Sequence, residues 1–395
     1  MRDGFKVIDA DAHLQEPDDL WSEYVEPEFY DRRPRVKEYV GKTFFRYEEG
    51  NELFPKEPEA ATAPGGVAPG STTSALFSSP RFVRDQETKY GHAWEATWSP
   101  ESRLKDMDSY GWDKQVMITG AGSVINRVGK SDVDPALVMA LARAYNNWAG
   151  DFASTDPSRL KVVVTLPTAD VEQQIIETRR CVERFNAVTI NMPSPKGESM
   201  WHDEHHQALW ETCVELDLPV SLHGTNGVGP DVRRRYGHLK GSFVALTHVL
   251  GNTLEDMMSL AHFIFTGILE KHPDLRISCL EGNAGWVPFW VSRMDDHVVG
   301  RQSVFDDESI LPLKPSDYFF RQCFVAADGD EGALNFATQW TKGERIVWNT
   351  DYPHPDAPDP DKALADLLAQ PISDSDKRKI LWDNPVQLYG NRILT

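Results

Sequence analysis

The chain has 395 residues, 40% hydrophobic and 26% charged, an ordinary globular composition that fits one large barrel with insertions or two average domains. A formal charge of −20 repels phosphate backbones and argues against nucleic-acid binding. The sequence holds no run of the roughly 18 apolar residues that a membrane-spanning helix needs.

Residues 1–6 carry no apolar signal region and run directly into a strand, which points to a cytoplasmic protein. That first strand is predicted over 5–13 (FKVIDADAH). The second covers 115–119, after an acidic helix that begins near Glu101. The third covers 160–166 (LKVVVTL), the fourth 187–191 (AVTIN) and the fifth 218–223 (LPVSLH). The sixth covers 275–281 (LRISCLE), the seventh 323–326 and the eighth 345–351 (RIVWNTD). Apolar residues recurring about 3.6 positions apart predict helices over 135–154, 171–184, 204–216, 254–271 and 332–341. Eight strands separated by helices predict an α/β chain folded as a (β/α)8 TIM barrel, one domain over 1–395. The eighth strand decides this, because without it a doubly wound sheet competes.

Residues 25–100 form a long insertion between the first two strands. Within it, 54–80 is rich in Pro, Gly, Ala, Ser and Thr, has no period, and reads as a flexible loop. It is either a solvated insertion without a role or a lid over the barrel mouth, where long loops after barrel strands sit.

Alternation along the first strand predicts that Asp9, Asp11 and His13 share one face. Three ionisable groups aimed into a barrel are costly unless a metal ion compensates them. A strand end with solvated acids is the plain alternative, and the apolar Val7-Ile8 flank weakens it. His223 ends the fifth strand. A lone His after an apolar run is more often structural, but barrel chemistry sits at the C-terminal strand ends. Glu281 ends the sixth strand before Gly282-Asn283, and Asp351 ends the eighth before Tyr352-Pro353-His354. Asp11, His13, His223, Glu281 and Asp351 make a nitrogen and oxygen ligand set without sulfur, suited to zinc, iron or manganese. His248 is either a polar loop residue or a further ligand, in which case the set is large enough for two ions. Glu281, Asp351 and His248 are the candidates for catalysis, and Asp9 and His354 would orient the ligands through hydrogen bonds.

Other features have two readings each. Arg233-Arg234-Arg235, with Lys240, is either a solvated turn balancing an acidic surface or a phosphate clamp at the mouth. Trp286, Phe289 and Trp290 either line an apolar substrate pocket or pack as core. Cys181, Cys213, Cys279 and Cys323 form no C-x-x-C pair and are expected to be buried reduced thiols.

At these residues the sequence resembles the amidohydrolase-related TIM-barrel family that includes aminocarboxymuconate-semialdehyde decarboxylase and the resorcylate decarboxylases. The likeness covers most of the chain outside the insertion. It rests on Asp11-Ala12-His13, His223, Thr350-Asp351-Tyr352-Pro353-His354, the segment 265–275 (FTGILEKHPDL), and Pro288-Phe289 with Arg293. It implies the barrel, a metal at its mouth and a homodimer. Two departures stand out. The decarboxylases end the sixth strand on a catalytic His, where this chain has Glu281, and an acid of ordinary strength cannot do the work of a protonated imidazole. Many hydrolase members have His where this chain has Asp11. Both changes favour a harder ion such as iron. The carboxylate-rich site thereby resembles a branch of the family, the non-haem diiron monooxygenases of platensimycin and platencin diterpenoid antibiotic biosynthesis. That resemblance implies an oxidoreductase with two irons, an apolar CoA-linked acid held by Arg233, Arg234 and Arg235 and lined by Trp286 and Trp290, and an external electron donor. The alternative is a metal-dependent hydrolase or non-oxidative decarboxylase using zinc or manganese.

Overall fold

The computed structural model describes residues 1–39, 45–54, 80–119, 124–125, 132–168, 170–193, 195, 199–223, 236, 243–299, 311–354 and 357–395. Within these, the side chains of 45–46, 80–83, 243–244, 247–248 and 299 lie outside the description.

Strand β1 (Ile8–His13) opens the barrel. A small antiparallel hairpin, β2 (Val36–Tyr39) and β3 (Phe45–Tyr47), follows within the insertion. The remaining strands are β4 (Lys114–Ile118), β5 (Leu160–Thr165), β6 (Thr189–Asn191), β7 (Val220–His223), β8 (Ile277–Leu280), β9 (Cys323–Ala327) and β10 (Ile346–Trp348). Apart from the hairpin, all are neighbours in chain order in one parallel, 8-stranded sheet. The Asp351 N–H donates to the Asp11 carbonyl (3.0 Å) and the His13 N–H to the Tyr352 carbonyl (2.6 Å), joining the last strand's end to the first. The architecture is a (β/α)8 TIM barrel.

Strands in such a barrel are covered on both faces, so they read as continuous apolar runs; every residue of β5, LKVVVT, is buried. Ile8, Ala10, Val116, Ile118, Val163, Phe324, Ala326 and Val347 form one cluster with Leu388, Tyr389 and Ile393 from the chain's end. Contributed by most of the barrel strands, this cluster fills the interior. A larger apolar layer lies between the strands and the surrounding helices. Helix Val171–Phe185 starts on Asp170, whose side chain accepts from the Glu172 and Gln173 N–H groups, and stops on Asn186 at φ 53°.

The sequence-predicted elements differ from the structure mainly at their ends. Strands expected over 275–281 and 345–351 shorten to Ile277–Leu280 and Ile346–Trp348. Glu281, directly after β8, sits at φ 66°, outside extended geometry, and so ends that ladder, while Asp351, at φ 55°, lies beyond the end of β10. The helix expected over 254–271 begins earlier and divides into Phe243–Phe265 and Ile268–Lys271 at Gly267, φ 79°. His248, expected in a loop, therefore belongs to a helix, and its side chain is outside the description. The segment 204–216 opens with a 3-10 turn, Glu204–His206, before helix Gln207–Glu215. Within the insertion, helices Pro80–Lys89 and Gly91–Glu95 follow the hairpin. Most of 54–80, and all of Arg233, Arg234 and Arg235, lie outside the described residues. All four cysteines are free and buried. Among the described residues, no helix is long and apolar enough to cross a membrane.

Candidate metal centre

The first strand does not place its acids as alternation predicts. The register of β1 against β4 shifts between Asp9 and Ala12, an irregularity that re-aims side chains. The expected common face of Asp9, Asp11 and His13 gives way to two environments. The Asp9 carboxylate accepts from the Thr350 N–H (3.0 Å), the Thr350 hydroxyl (2.6 Å) and Gln115 Nε2 (2.8 Å). This ties β1, β4 and the end of β10 together. Burial is the main cause of its raised pKa, about 7, against these hydrogen bonds.

Asp11 and His13 instead meet the ends of β7 and β10. His13 Nε2 lies 2.9 Å from Asp351 Oδ1 and 3.5 Å from Asp11 Oδ1. His223 Nε2 lies 3.4 Å from Asp11 Oδ2 and 3.4 Å from Glu281 Oε2. His354 Nδ1 is 2.8 Å from Asp351 Oδ1, and its ring stacks on that of His13 with centroids 4.0 Å apart. Thus five residues drawn from four strand ends, with His354, converge at the barrel mouth. Asp11, His13 and His223 form one group able to hold a metal ion, and His13, Asp351 and His354 another.

The electrostatics of this cluster are uncompensated by protein alone. Both Asp11 oxygens, both His13 ring nitrogens, His223 Nε2 and Asp351 Oδ1 are buried without a well-formed hydrogen bond. Burial first, then the charges of Asp351 and Glu281, push the Asp11 carboxyl well above its usual range. Burial, then His354, lowers the His13 pKa, and burial, then His13, lowers that of His223 strongly. Burial alone would raise Asp351, but His354 and His13 outweigh it and hold this carboxyl below the ordinary range. Neutral imidazoles with bare nitrogens beside carboxylates are the donor set a divalent cation requires.

Further carboxylates lie around the turn that carries Glu281 and are not among the candidates that the sequence offers. Asp256, in helix Phe243–Phe265, is fully buried with both oxygens unpartnered. It packs against Gly282 so closely that a Cβ there would lie 2.1 Å from Asp256 Oδ2. Asp328 directly follows β9 and accepts from Asn349 Nδ2 (2.9 Å); burial raises its pKa to about 7. Glu331 accepts from the main-chain N–H groups of Ala284 and Gly285 and so fixes the turn that carries Glu281. An acid at the end of the seventh strand is the same signal that pointed to Glu281 and Asp351, so Asp328 was open to that rule. The two tryptophans spend their indole N–H groups on main-chain carbonyls, Trp286 on Gly282 (3.1 Å) and Trp290 on Met257 (2.7 Å). Both rings pack against the outer apolar layer, and Phe289 beside them is largely exposed.

Comparison with known proteins gives this geometry a context. The family model described as amidohydrolase matches residues 8–391. The chain is 23% identical over 293 residues to 2-amino-3-carboxymuconate-6-semialdehyde decarboxylase of Dictyostelium discoideum, covering 74% of this chain and 77% of that protein. It is 25% identical over 340 residues to gamma-resorcylate decarboxylase of Polaromonas sp., covering 81% of this chain and 95% of that one. A crystal structure of 5-carboxyvanillate decarboxylase from Novosphingobium aromaticivorans, with bound manganese, aligns with a TM-score of 0.68 at 18% identity, covering 98% of each chain. These relatives correct the expectation of a diiron monooxygenase in antibiotic biosynthesis. They are decarboxylases, and the Novosphingobium structure carries manganese. A carboxylate-rich donor set suits iron and manganese alike, so the inference from ligand hardness to dioxygen chemistry does not hold.

Proposed function

The chain belongs to the amidohydrolase family, and from that premise we propose that it is a metal-dependent, non-oxidative decarboxylase of a small carboxylic acid. One observation carries the reading: buried donor atoms of Asp11, His13, His223 and Asp351, the Asp11 oxygens among them without a hydrogen bond, converge at the barrel mouth beside Glu281. The relatives' reactions supply the reaction class.

In this reading Asp11, His13, His223 and Asp351 hold a divalent ion, with Glu281 alongside as a further ligand or proton-handling group. The ion would polarise a carboxylate or carbonyl oxygen of the substrate. His354 Nδ1 meets the same Asp351 oxygen as His13 and fixes the carboxylate's orientation. Decarboxylation breaks a carbon–carbon bond, releases CO2 and delivers one proton to the carbon left behind. The electron pair stays on that carbon, so no external reductant is required. Glu281 Oε2, 3.4 Å from His223 Nε2 and partly exposed, can hold or pass that proton. A CoA carrier would rest on Arg233, Arg234 and Arg235, and nothing among the described residues supports it.

Hydrolysis is a second reading, favoured by Glu281 itself, which stands where the family's decarboxylases are expected to carry an imidazole. One experiment separates the two. Metal-free protein is reloaded with manganese, zinc or iron and offered hydroxybenzoates, 5-carboxyvanillate and carboxymuconate semialdehydes, alongside amides, esters and lactones. Metal-dependent CO2 release, strongest with manganese, is expected. Turnover of the second group alone would move the assignment to hydrolysis. Stoichiometric metal with neither reaction would sink both.

A further inference from the structure

The loop that carries Asp351 and His354 has little secondary structure of its own. It follows β10, which ends at Trp348; Asp351, at φ 55°, and Tyr352 still bond to the β1 main chain, but the Pro353 and His354 carbonyls lie beyond that pairing. Two side chains from the insertion take up its carbonyls. Gln86 Nε2 donates to the Pro353 carbonyl (3.0 Å), and the Tyr90 hydroxyl donates to the His354 carbonyl (2.7 Å). Both bonds are buried, and they span 267 and 264 residues of sequence. The Tyr90 ring also packs edge-on against Tyr352, with centroids 5.2 Å apart, and against Trp98 at 5.7 Å. Tyr352 in turn donates its hydroxyl to Asp106 (2.6 Å). Lys89, between the two, reaches the Ala357 carbonyl.

We propose that Gln86 and Tyr90 are positioning residues of the metal centre, making the helical end of the insertion a brace for the Asp351–His354 loop. This rests on the metal-centre reading above. The path is short and physical: the Tyr90 hydroxyl fixes the His354 main chain, the His354 ring stacks on His13, and its Nδ1 holds Asp351 Oδ1 at 2.8 Å. A displacement of the loop therefore moves an imidazole and a carboxylate together. Gln86 acts one residue earlier and restrains the peptide between them. The sequence left the insertion as a spacer or a lid; its helical end touches the back of the loop and sets where a ligand carboxylate sits. Outer groups of this kind typically change metal affinity by about 10–100-fold when removed.

The test uses the full chain. Tyr90→Phe keeps the ring packing on Tyr352 and Trp98 and deletes only the donor; Gln86→Leu deletes the other donor at similar volume. Tyr24→Phe, which removes a surface hydroxyl bonded to Asp151, is the control. Manganese binding to metal-free protein is measured by calorimetry, and the bound ion's environment by electron paramagnetic resonance. Each brace variant is expected to bind manganese about tenfold more weakly with a broadened resonance, the double variant more so, while Tyr24→Phe matches wild type. A double variant with wild-type affinity and line shape would overturn the inference alone. A wild-type chain that binds no divalent ion would overturn the metal reading and this inference with it.

Discussion

Along β1, a single residue separates two kinds of interior. Ile8 and Ala10 pack with Val116, Val347 and Tyr389, and the Tyr389 hydroxyl donates to the Ala10 carbonyl at 2.9 Å. The next residue, Asp11, carries two buried oxygens with no partner. The cluster around Ile8 and Ala10 is apolar, and that region supplies stability. At the mouth, carboxylates and bare imidazole nitrogens are held together against their electrostatics, at a cost the rest of the fold must offset. The contrast separates the residues that keep the protein folded from those that make it an enzyme, and it can be broken or sharpened by experiment.

The sharpest break is expected from Asp11→Asn. Metal content and turnover should fall by more than about 100-fold, beyond the usual effect of groups outside the ligand set. The metal-free variant should melt no lower than wild type, because the substitution removes a buried acid already destabilised by burial and by Asp351 and Glu281. A melting loss with normal metal content would reverse the roles assigned to the two regions. Leu388→Ala, in the fully buried interior cluster, should do the opposite. It should cost about 2–5 kcal/mol in denaturant unfolding while manganese affinity stays at the wild-type value.

Metal addition tests the mouth directly. At a free ion concentration about 100 times the dissociation constant, stability should rise by about 2.7 kcal/mol, and a chelator should reverse it. A melting curve indifferent to both would mean that no ion binds the native state. Glu281→Ala should reduce metal content together with activity; full occupancy in that variant would remove Glu281 from the ligand set.

The smallest effect belongs to neither region and serves as a reference. Burial, then His205, lowers the His206 pKa from 6.5 to about 4. Between those values the unfolded chain binds the extra proton, so this contribution is full above pH 6.5 and is lost as pH falls toward about 4. His206→Gln should flatten the fall in stability over that window and leave metal affinity alone.

Much of the site was legible because strand ends and chemistry coincide in this architecture. Asp11, His13, His223, Glu281 and Asp351 each follow an apolar run, and the parallel order of β1, β7, β8 and β10 brings such ends together. Other features carried no local signal. The register shift in β1 that separates Asp9 from Asp11 depends on pairing with β4. Asp256 reaches the Glu281 turn only because Gly282 leaves the space. His248 lies in helix Phe243–Phe265, upstream of the apolar spacing that predicts a start at 254. The reaction was the least legible of all, since a donor set of this hardness suits several ions and several chemistries.

By itself, then, the sequence determined the alternation of strands and helices and the chemical character of each strand end, because both follow from local periodicity and residue type. The tertiary structure decided which of those ends share one cavity, and which distant side chains hold them there. Gln86 and Tyr90 illustrate the division: nothing near them in the chain marks their targets, and only the closure of β10 onto β1 puts the Pro353 and His354 carbonyls within their reach.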